Sequence, residues 1–325
     1  MSKVYVTGAA GMIGSSVCKR LVQDGHKVVG VDNFWRGREE NIDSLKNHPS
    51  FEFIFCDLSE STDWAAKLDF DSMIIHIADI VAGIGYVFGN EFEVFSQNCK
   101  INSNISRVIN KNPPAKVIYL GTACSYPQGL QRNVLSSVLS EDQKFPADPE
   151  SGYGWSKLIG EIELKLAVKK SNTKLITLDL HNVYGSPCIY SDATSQVIPS
   201  LIFRALNLRG EPLSVWGNGQ QGRAFIHVDD VVEAVVLGLQ YNGDVDNIMI
   251  GPDYCTTIKE VAEIIISHPK VTSNEIEYDL TKPMGDLGRF ADYSLAKSEL
   301  NWSPSVSLKS GVYDLIDYIY TDLNK

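Results

Sequence analysis

The chain has 325 residues, enough to bury a full core as one large domain or two of ordinary size. Its 44% hydrophobic and 21% charged residues, with no apolar run of bilayer length, describe a soluble globular protein and exclude a membrane-spanning one. A net charge of -11 argues against a nucleic-acid partner, whose phosphates need a basic surface, and six cysteines without CxxC or Cys/His spacing argue against a metal site or a disulfide framework.

Apolar, β-branched runs at 3–7, 27–32, 51–57, 72–78, 116–121 and 174–182 predict strands, and helix-period stretches at 12–24, 92–111 and 153–170 lie between them. Near-continuous apolar strands alternating with helices imply an α/β protein, a Rossmann-type doubly wound parallel sheet covered on both faces. After about residue 184 the punctuation becomes rich in Pro, Gly and polar residues, which predicts a smaller, interleaved substrate lobe. The expected division is 1–183 for a cofactor-binding domain and 184–325 mainly for the second lobe, with the apolar stretch 225–245 returning to the first. TIKE at 257–260 is a capping box opening a helix, and 311–323 predicts a last amphipathic one. The opening MSKVYVTGAA runs directly into structure, so no secretory leader and a cytoplasmic location are expected.

The first strand leads into TGAAGMIG, which places Gly8, Gly11 and Gly14 at the start of a helix. Glycines there permit a tight turn and a close backbone approach, and the free N–H groups of the helix attract a pyrophosphate. The second strand ends in Asp32, an acid suited to the ribose hydroxyl of NAD and opposed to the extra phosphate of NADP. Arg36 and Arg38 follow and could partner such a phosphate; they are read as solvated or directed at the adenosine diphosphate. Asp57 and Leu58 after the third strand, and Ala78 and Ile80 after the fourth, are candidate cofactor contacts.

In SGYGWSK, Tyr153 and Lys157 stand four apart at the start of a helix and so project from one face. A nearby ammonium and the positive nicotinamide ring favour the phenolate, which could take a proton from a sugar hydroxyl while hydride leaves the same carbon. Thr122, at the end of the fifth strand, can hydrogen-bond the same oxygen. Two positions on lies a thiol, Cys124.

TGAAGMIG, Asp32, GTACSYP (121–127) and YGWSK (153–157) together resemble the extended short-chain dehydrogenase/reductases of the nucleotide-sugar epimerase and dehydratase group, over nearly the whole chain. Within it the chain is most similar to the GDP-mannose 3,5-epimerases and next to the GDP-L-fucose synthases. The carrying stretches are ADIVAGIG (78–85), GTACSYPQ (121–128), FPADPESGYGWSK (145–157) and GDLGRFADYSLAKSELNWSP (285–304). The resemblance implies an NAD-dependent epimerase that works through a transient 4-keto sugar on a nucleotide-diphosphate hexose, a GDP-hexose being favoured. Alternatives are a 4-epimerase, a fucose synthase-like reductase or sugar 4-dehydrogenase with net redox change, and, outside enzymes, an NAD-sensing protein. The last is disfavoured because Tyr153 and Lys157 are both present.

The same resemblance assigns Cys124 as the base that removes a proton beside the ketone. Dehydratases carry Asp-Glu where this chain has Ala123 and Cys124, so dehydration is disfavoured. Met12, Ile13, Asn33 and Asn98 are implied as further cofactor contacts. Asn182, Arg223 and Arg289 are implied for the nucleotide sugar, with Gln196 and Val197 beside them and Gly83 and Ile84 of VAGIGYV against the sugar ring. One departure stands out. QVIP (196–199) replaces the HVIP of fucose synthases and the lysine of 3,5-epimerases, and Gln196 is no acid at neutral pH. Water or a tyrosine such as Tyr190 would have to serve, or C5 is not inverted. Relatives commonly form homodimers through two helices, here 92–111 and 153–170. His76, His181 and His227, on apolar strands or strand ends, are read as satisfied core residues rather than metal ligands.

Overall fold

The computed structural model describes residues 3–130, 138–192, 194–281 and 288–325. Seven parallel strands form its central sheet, in the order Asn247–Ile250, Lys174–Leu180, Lys116–Thr122, Met73–His76, Lys3–Thr7, Lys27–Asp32, Phe51–Phe55. The chain builds outward from Lys3–Thr7 in one direction and then in the other. Such a reversal opens a crevice at the carboxyl ends of the strands, where open α/β sheets bind ligands.

Alternation explains why the strands read as unbroken apolar runs. In Lys116–Thr122, Ile118 and Leu120 join Val4 and Val6 on one face, beneath helices Met12–Gln23 and Val228–Gln240. Val117 and Tyr119 join Tyr5 and Ile74 on the other, beneath Glu91–Lys111, which contributes Ile101, Ile105 and Ile109, and Gly152–Val168, which contributes Leu164. Residues i and i+4 on those helices form the apolar stripe that the period predicts.

The parallel Rossmann-type architecture agrees with the sequence reading, with local differences. The strands expected at 51–57 and 72–78 stop at Phe55 and His76, and 174–182 divides into Lys174–Leu180 and Asn182–Tyr184. Helix Val228–Gln240 lies on the sheet, and the chain continues into a seventh strand, Asn247–Ile250, which the sequence reading did not mark. A second core gathers Leu201 and Ile202 of helix Val197–Asn207, Val261 and Ile265 of Ile258–Ile266, and Leu315 and Ile319 of Leu308–Leu323. Thr257 and Glu260 make both bonds of the expected capping box.

A buried charge network underlies the segment after the fifth strand. Lys144 Nζ lies 2.7 Å from Glu161 and 2.6 Å from Asp179, and Tyr126 donates to Asp179 at 3.0 Å. Stranding one member of such a network costs about 3–5 kcal/mol, so it holds the Thr122–Tyr126 turn in one place. Among the described residues no helix is long and apolar enough to cross a membrane.

Candidate active site

A cavity of about 780 Å³ lies over the carboxyl ends of the sheet strands, between the two cores. The glycine turn forms its floor. Gly8 has φ +71° and donates to Val31 at 2.8 Å, and a Cβ on Gly14 would sit 2.0 Å from the Gly8 carbonyl oxygen, so no side chain fits there. Helix Met12–Gln23 begins at Gly11 without a side-chain cap or an acid in its first turn, and Gly11, Met12, Ile13 and Gly14 line the cavity. Its first N–H groups are thereby left for an anionic ligand.

Asp32 accepts from the Ala10 N–H at 2.9 Å and from the Phe34 N–H at 2.7 Å, and burial pushes its carboxyl above the usual range. It ties the turn after the second strand to the glycine turn while still lining the cavity. Asn33 donates to Asp57 at 2.9 Å; both line the cavity with Leu58, Ala78 and Ile80. Asn98 does not. It is fully buried, and its amide accepts from the Ile80 N–H at 2.7 Å and donates to the Ile80 carbonyl at 3.2 Å. The structure therefore places Asn98 behind the wall, fixing the loop that carries Ile80.

Arg36, which lines the cavity, is held by protein carbonyls rather than left to solvent. Its guanidinium donates to the Val81 carbonyl at 2.7 Å and to the Thr194 carbonyl at 3.2 Å, with burial lowering its pKa. Gly83 N–H donates to the same Thr194 carbonyl at 3.1 Å, and a Cβ on Gly83 would meet the Ser195 oxygen at 2.4 Å. The VAGIGYV loop is thus docked on the segment before helix Val197–Asn207, where Gly83 is required for contact with protein backbone. Ile84 opens the short helix Ile84–Gly89; its side chain lies outside the described residues.

Thr122 ends the fifth strand and accepts from the Cys124 N–H at 3.1 Å. The next helix, capped by Ser151, is pressed on this turn so closely that a Cβ on Gly154 would lie 2.2 Å from the Cys124 carbonyl oxygen. This packing brings the Tyr153 phenol within hydrogen-bonding reach of Thr122. One helical turn on, Lys157 lies 2.7 Å from Asp79 and 4.3 Å from the centroid of the Tyr119 ring. The sequence argument expected the ammonium and the nicotinamide ring to favour the phenolate. Among the protein's own groups, burial, then Asp79 and Cys124, push the phenol well above its ordinary value, with Thr122 and Arg36 pulling the other way.

Opposite the phenol, Arg289 donates to the Cys124 sulfur at 2.9 Å. Both line the cavity, as do Asn182, Arg223, Gln196 and Val197. Gln196 occupies the N-cap position of helix Val197–Asn207 without a side-chain cap bond. Tyr190 is not positioned to replace the missing acid, because its phenol donates to Asp322 at 2.6 Å within the second core. His76 is satisfied, at 2.8 Å from Thr7 and 2.9 Å from Asn102, and His227 caps a helix. His181 is buried in the cavity wall with both ring nitrogens unpartnered among the described residues. Burial and Arg289 lower its pKa to about 3, so the imidazole is neutral. Its apolar neighbours indicated burial; nothing local indicated that its nitrogens would lack partners.

A family model described as the NAD dependent epimerase/dehydratase family matches residues 4–251. The chain belongs to that family. Similar relatives include GDP-mannose 3,5-epimerase 1 of Oryza sativa subsp. indica, 28% identical over 311 residues that cover 95% of this chain and 79% of the relative. Among solved structures, UDP-glucose 4-epimerase of Thermotoga maritima with UDP-glucose superposes with a TM-score of 0.86 at 25% identity, covering 99% of both chains. UDP-glucuronic acid 4-epimerase of Bacillus cereus, in complex with UDP-glucuronic acid and NAD, has a TM-score of 0.82 at 27% identity and covers 98% of this chain and 99% of its own.

As a member of this family the protein is an NAD-dependent enzyme, and its residues fit the cofactor. The tight turn in which Gly14 admits no side chain, the uncapped helix start and Asp32 are features that suit a dinucleotide. NAD should bind at least about tenfold more tightly than NADP, because a 2'-phosphate would meet the Asp32 carboxylate while Arg36 is engaged with carbonyls. Calorimetry with the two dinucleotides checks this, and tighter NADP binding would reverse it.

Proposed function

We propose that the enzyme epimerises a nucleotide-diphosphate hexose through a transient 4-keto sugar, with inversion at a carbon beside the ketone. The observation that carries this reading is the 2.9 Å contact from the Arg289 guanidinium to the Cys124 sulfur in the wall that also holds Thr122 and Tyr153. A cationic donor against sulfur complements the charge a thiol takes on when it acts as a base. Bound NAD supplies a hydride acceptor that returns what it takes. Tyr153, assisted by Thr122, would move the proton of the C4 hydroxyl. Lys157 would hold the phenol and the cofactor ribose in register. Oxidation at C4 acidifies the neighbouring C–H bonds, and Cys124 would then remove one of those protons. His181, neutral and unpartnered, offers a donor and an acceptor to the sugar. Arg223 and Asn182 would grip the diphosphate and the sugar.

A GDP-hexose is the first candidate, since relatives at 28% identity include GDP-mannose 3,5-epimerases, and a UDP-hexose is the other, since relatives at the same identity include a UDP-glucose 4-epimerase. Gln196 favours a second reading, 4-epimerisation alone, since an amide cannot return a proton to the opposite face. Incubation with GDP- and UDP-hexoses in heavy water, followed by NMR, tests the choice. Deuterium at C3 or C5 is expected; a C4 epimer without it would favour the second reading, and net consumption of NAD would mean a dehydrogenase.

We further propose a homodimer formed through helices Glu91–Lys111 and Gly152–Val168. Phe92 is 80% exposed and Leu166 63%, and Trp155 and Ile162 are also exposed on this pair. Large apolar side chains grouped on two packed helices suit an isologous interface. Light scattering at micromolar concentration should give twice the chain mass; a monomer would contradict it.

A further inference from the structure

The strand Met73–His76 leads to a carboxylate in the cavity wall, Asp79, to which the sequence reading gave no role. It lies 2.7 Å from Lys157 Nζ, and the two side chains are only 4% and 3% exposed. Asp79 Oδ1 is buried without a hydrogen-bond partner among the described residues, and the contact at Oδ2 makes Lys157 the cation beside this acid. A pair so shielded from water is screened far less than one at the surface.

The charged groups around the Tyr153 phenol come from four directions. Asp79 follows the fourth strand, Cys124 the fifth, Arg36 the second, and Lys157 stands on the same helix as the phenol; Thr122 adds a hydroxyl. A lone ammonium there would favour the phenolate. The Asp79 carboxylate cancels much of that field and disfavours a second negative charge.

We propose that Asp79 is a positioning residue: it holds the Lys157 ammonium, and the Asp79–Lys157 pair, rather than Lys157 alone, sets the pH at which Tyr153 gives up its proton. This rests on the reading of Tyr153 as the acid/base group. Burial and Asp79 are the two largest influences that push the phenol upward.

The test is an NMR titration of NAD-loaded protein carrying ¹³Cζ-labelled tyrosine, with the Tyr153 resonance identified by its loss in Tyr153→Phe. Asp79→Asn should lower the titration midpoint by about one pH unit or more, a tenfold change in acid constant. Asp79→Glu, which keeps the charge, should return it toward the native value. A native phenol that stays protonated to pH 10 while that of Asp79→Asn titrates below it supports the proposal equally. Equal midpoints, or a higher one in Asp79→Asn, would overturn it. If thermal melting shows Asp79→Asn unfolded, Asp79→Ser is read in its place. Turnover of Tyr153→Phe is measured separately: an active variant would remove the acid/base reading, whereas the midpoint decides the role of Asp79.

Discussion

Tyr153→Phe should lower turnover by about two to four orders of magnitude, the usual contribution of a positioned acid/base group, while leaving NAD affinity within a fewfold of native. The substitution removes one oxygen. The ring stays in its half-buried place at the start of helix Gly152–Val168, and the glycine turn and Asp32 are untouched. The pH dependence follows from the same environment. A phenol raised by burial and by Asp79 must lose its proton to act as a base, so the rate of hydride removal should climb as pH rises through the phenol's value in the loaded enzyme. Steady-state kinetics with and without the hydroxyl, and calorimetry with NAD, separate chemistry from binding. Retained turnover would remove Tyr153 from the mechanism.

Cys124→Ser should preserve hydride transfer yet lose most exchange of solvent deuterium into the sugar, by about a hundredfold or more. On the proposed mechanism hydride transfer calls on Thr122, Tyr153, Lys157 and NAD, all of which remain; the change removes the thiol's upward push on the Tyr153 phenol, which does not hinder its loss of a proton, and the backbone N–H of residue 124 still reaches the Thr122 hydroxyl. Carbon deprotonation calls on an anion at position 124. A thiol ordinarily titrates near 8.5, within reach of neutral pH, whereas an alcohol does not ionise there even beside Arg289. Transient reduction of bound NAD, followed by its absorbance, reports the first step, and NMR in heavy water reports the second. Undiminished exchange would make Cys124 a packing residue and leave C4 epimerisation or plain oxidation as the better description.

What could be read from the chain alone follows the range of the forces involved. The glycine turn, Asp32 and the Tyr153–Lys157 spacing are local patterns, each set by a turn or one helical repeat, and they line one cavity with Thr122 and Cys124. The sheet was readable because each strand carries its own apolar alternation, except for Asn247–Ile250, a short strand held by its neighbour Lys174–Leu180. The contacts that the sequence did not show are those whose partners lie far away in the chain. Arg36 bonds carbonyls 45 and 158 positions away, and Asn98 and Asp79 take their roles from Ile80 and Lys157. Apolar neighbours announced that His181 is buried. Whether a buried nitrogen finds a partner depends on the whole assembly, and those of His181 have none among the described residues.

The hold of Arg36 on Val81 and Thr194 bears on how this enzyme can be altered. The loop that carries Arg36 is itself fastened to the glycine turn, Arg38 N–H and the Asn41 amide both donating to the Ala10 carbonyl, while Thr194 stands two residues from Gln196. Changes made to retune sugar preference near Gln196 and changes made to retune cofactor preference near Arg36 therefore act on one hydrogen-bonded unit. Their free energies will not add: linked positions of this kind deviate by about 0.5–3 kcal/mol, enough to reverse the ranking of variants chosen singly. If Gln196 meets the sugar as proposed, substrate and cofactor preference in this protein are best varied together.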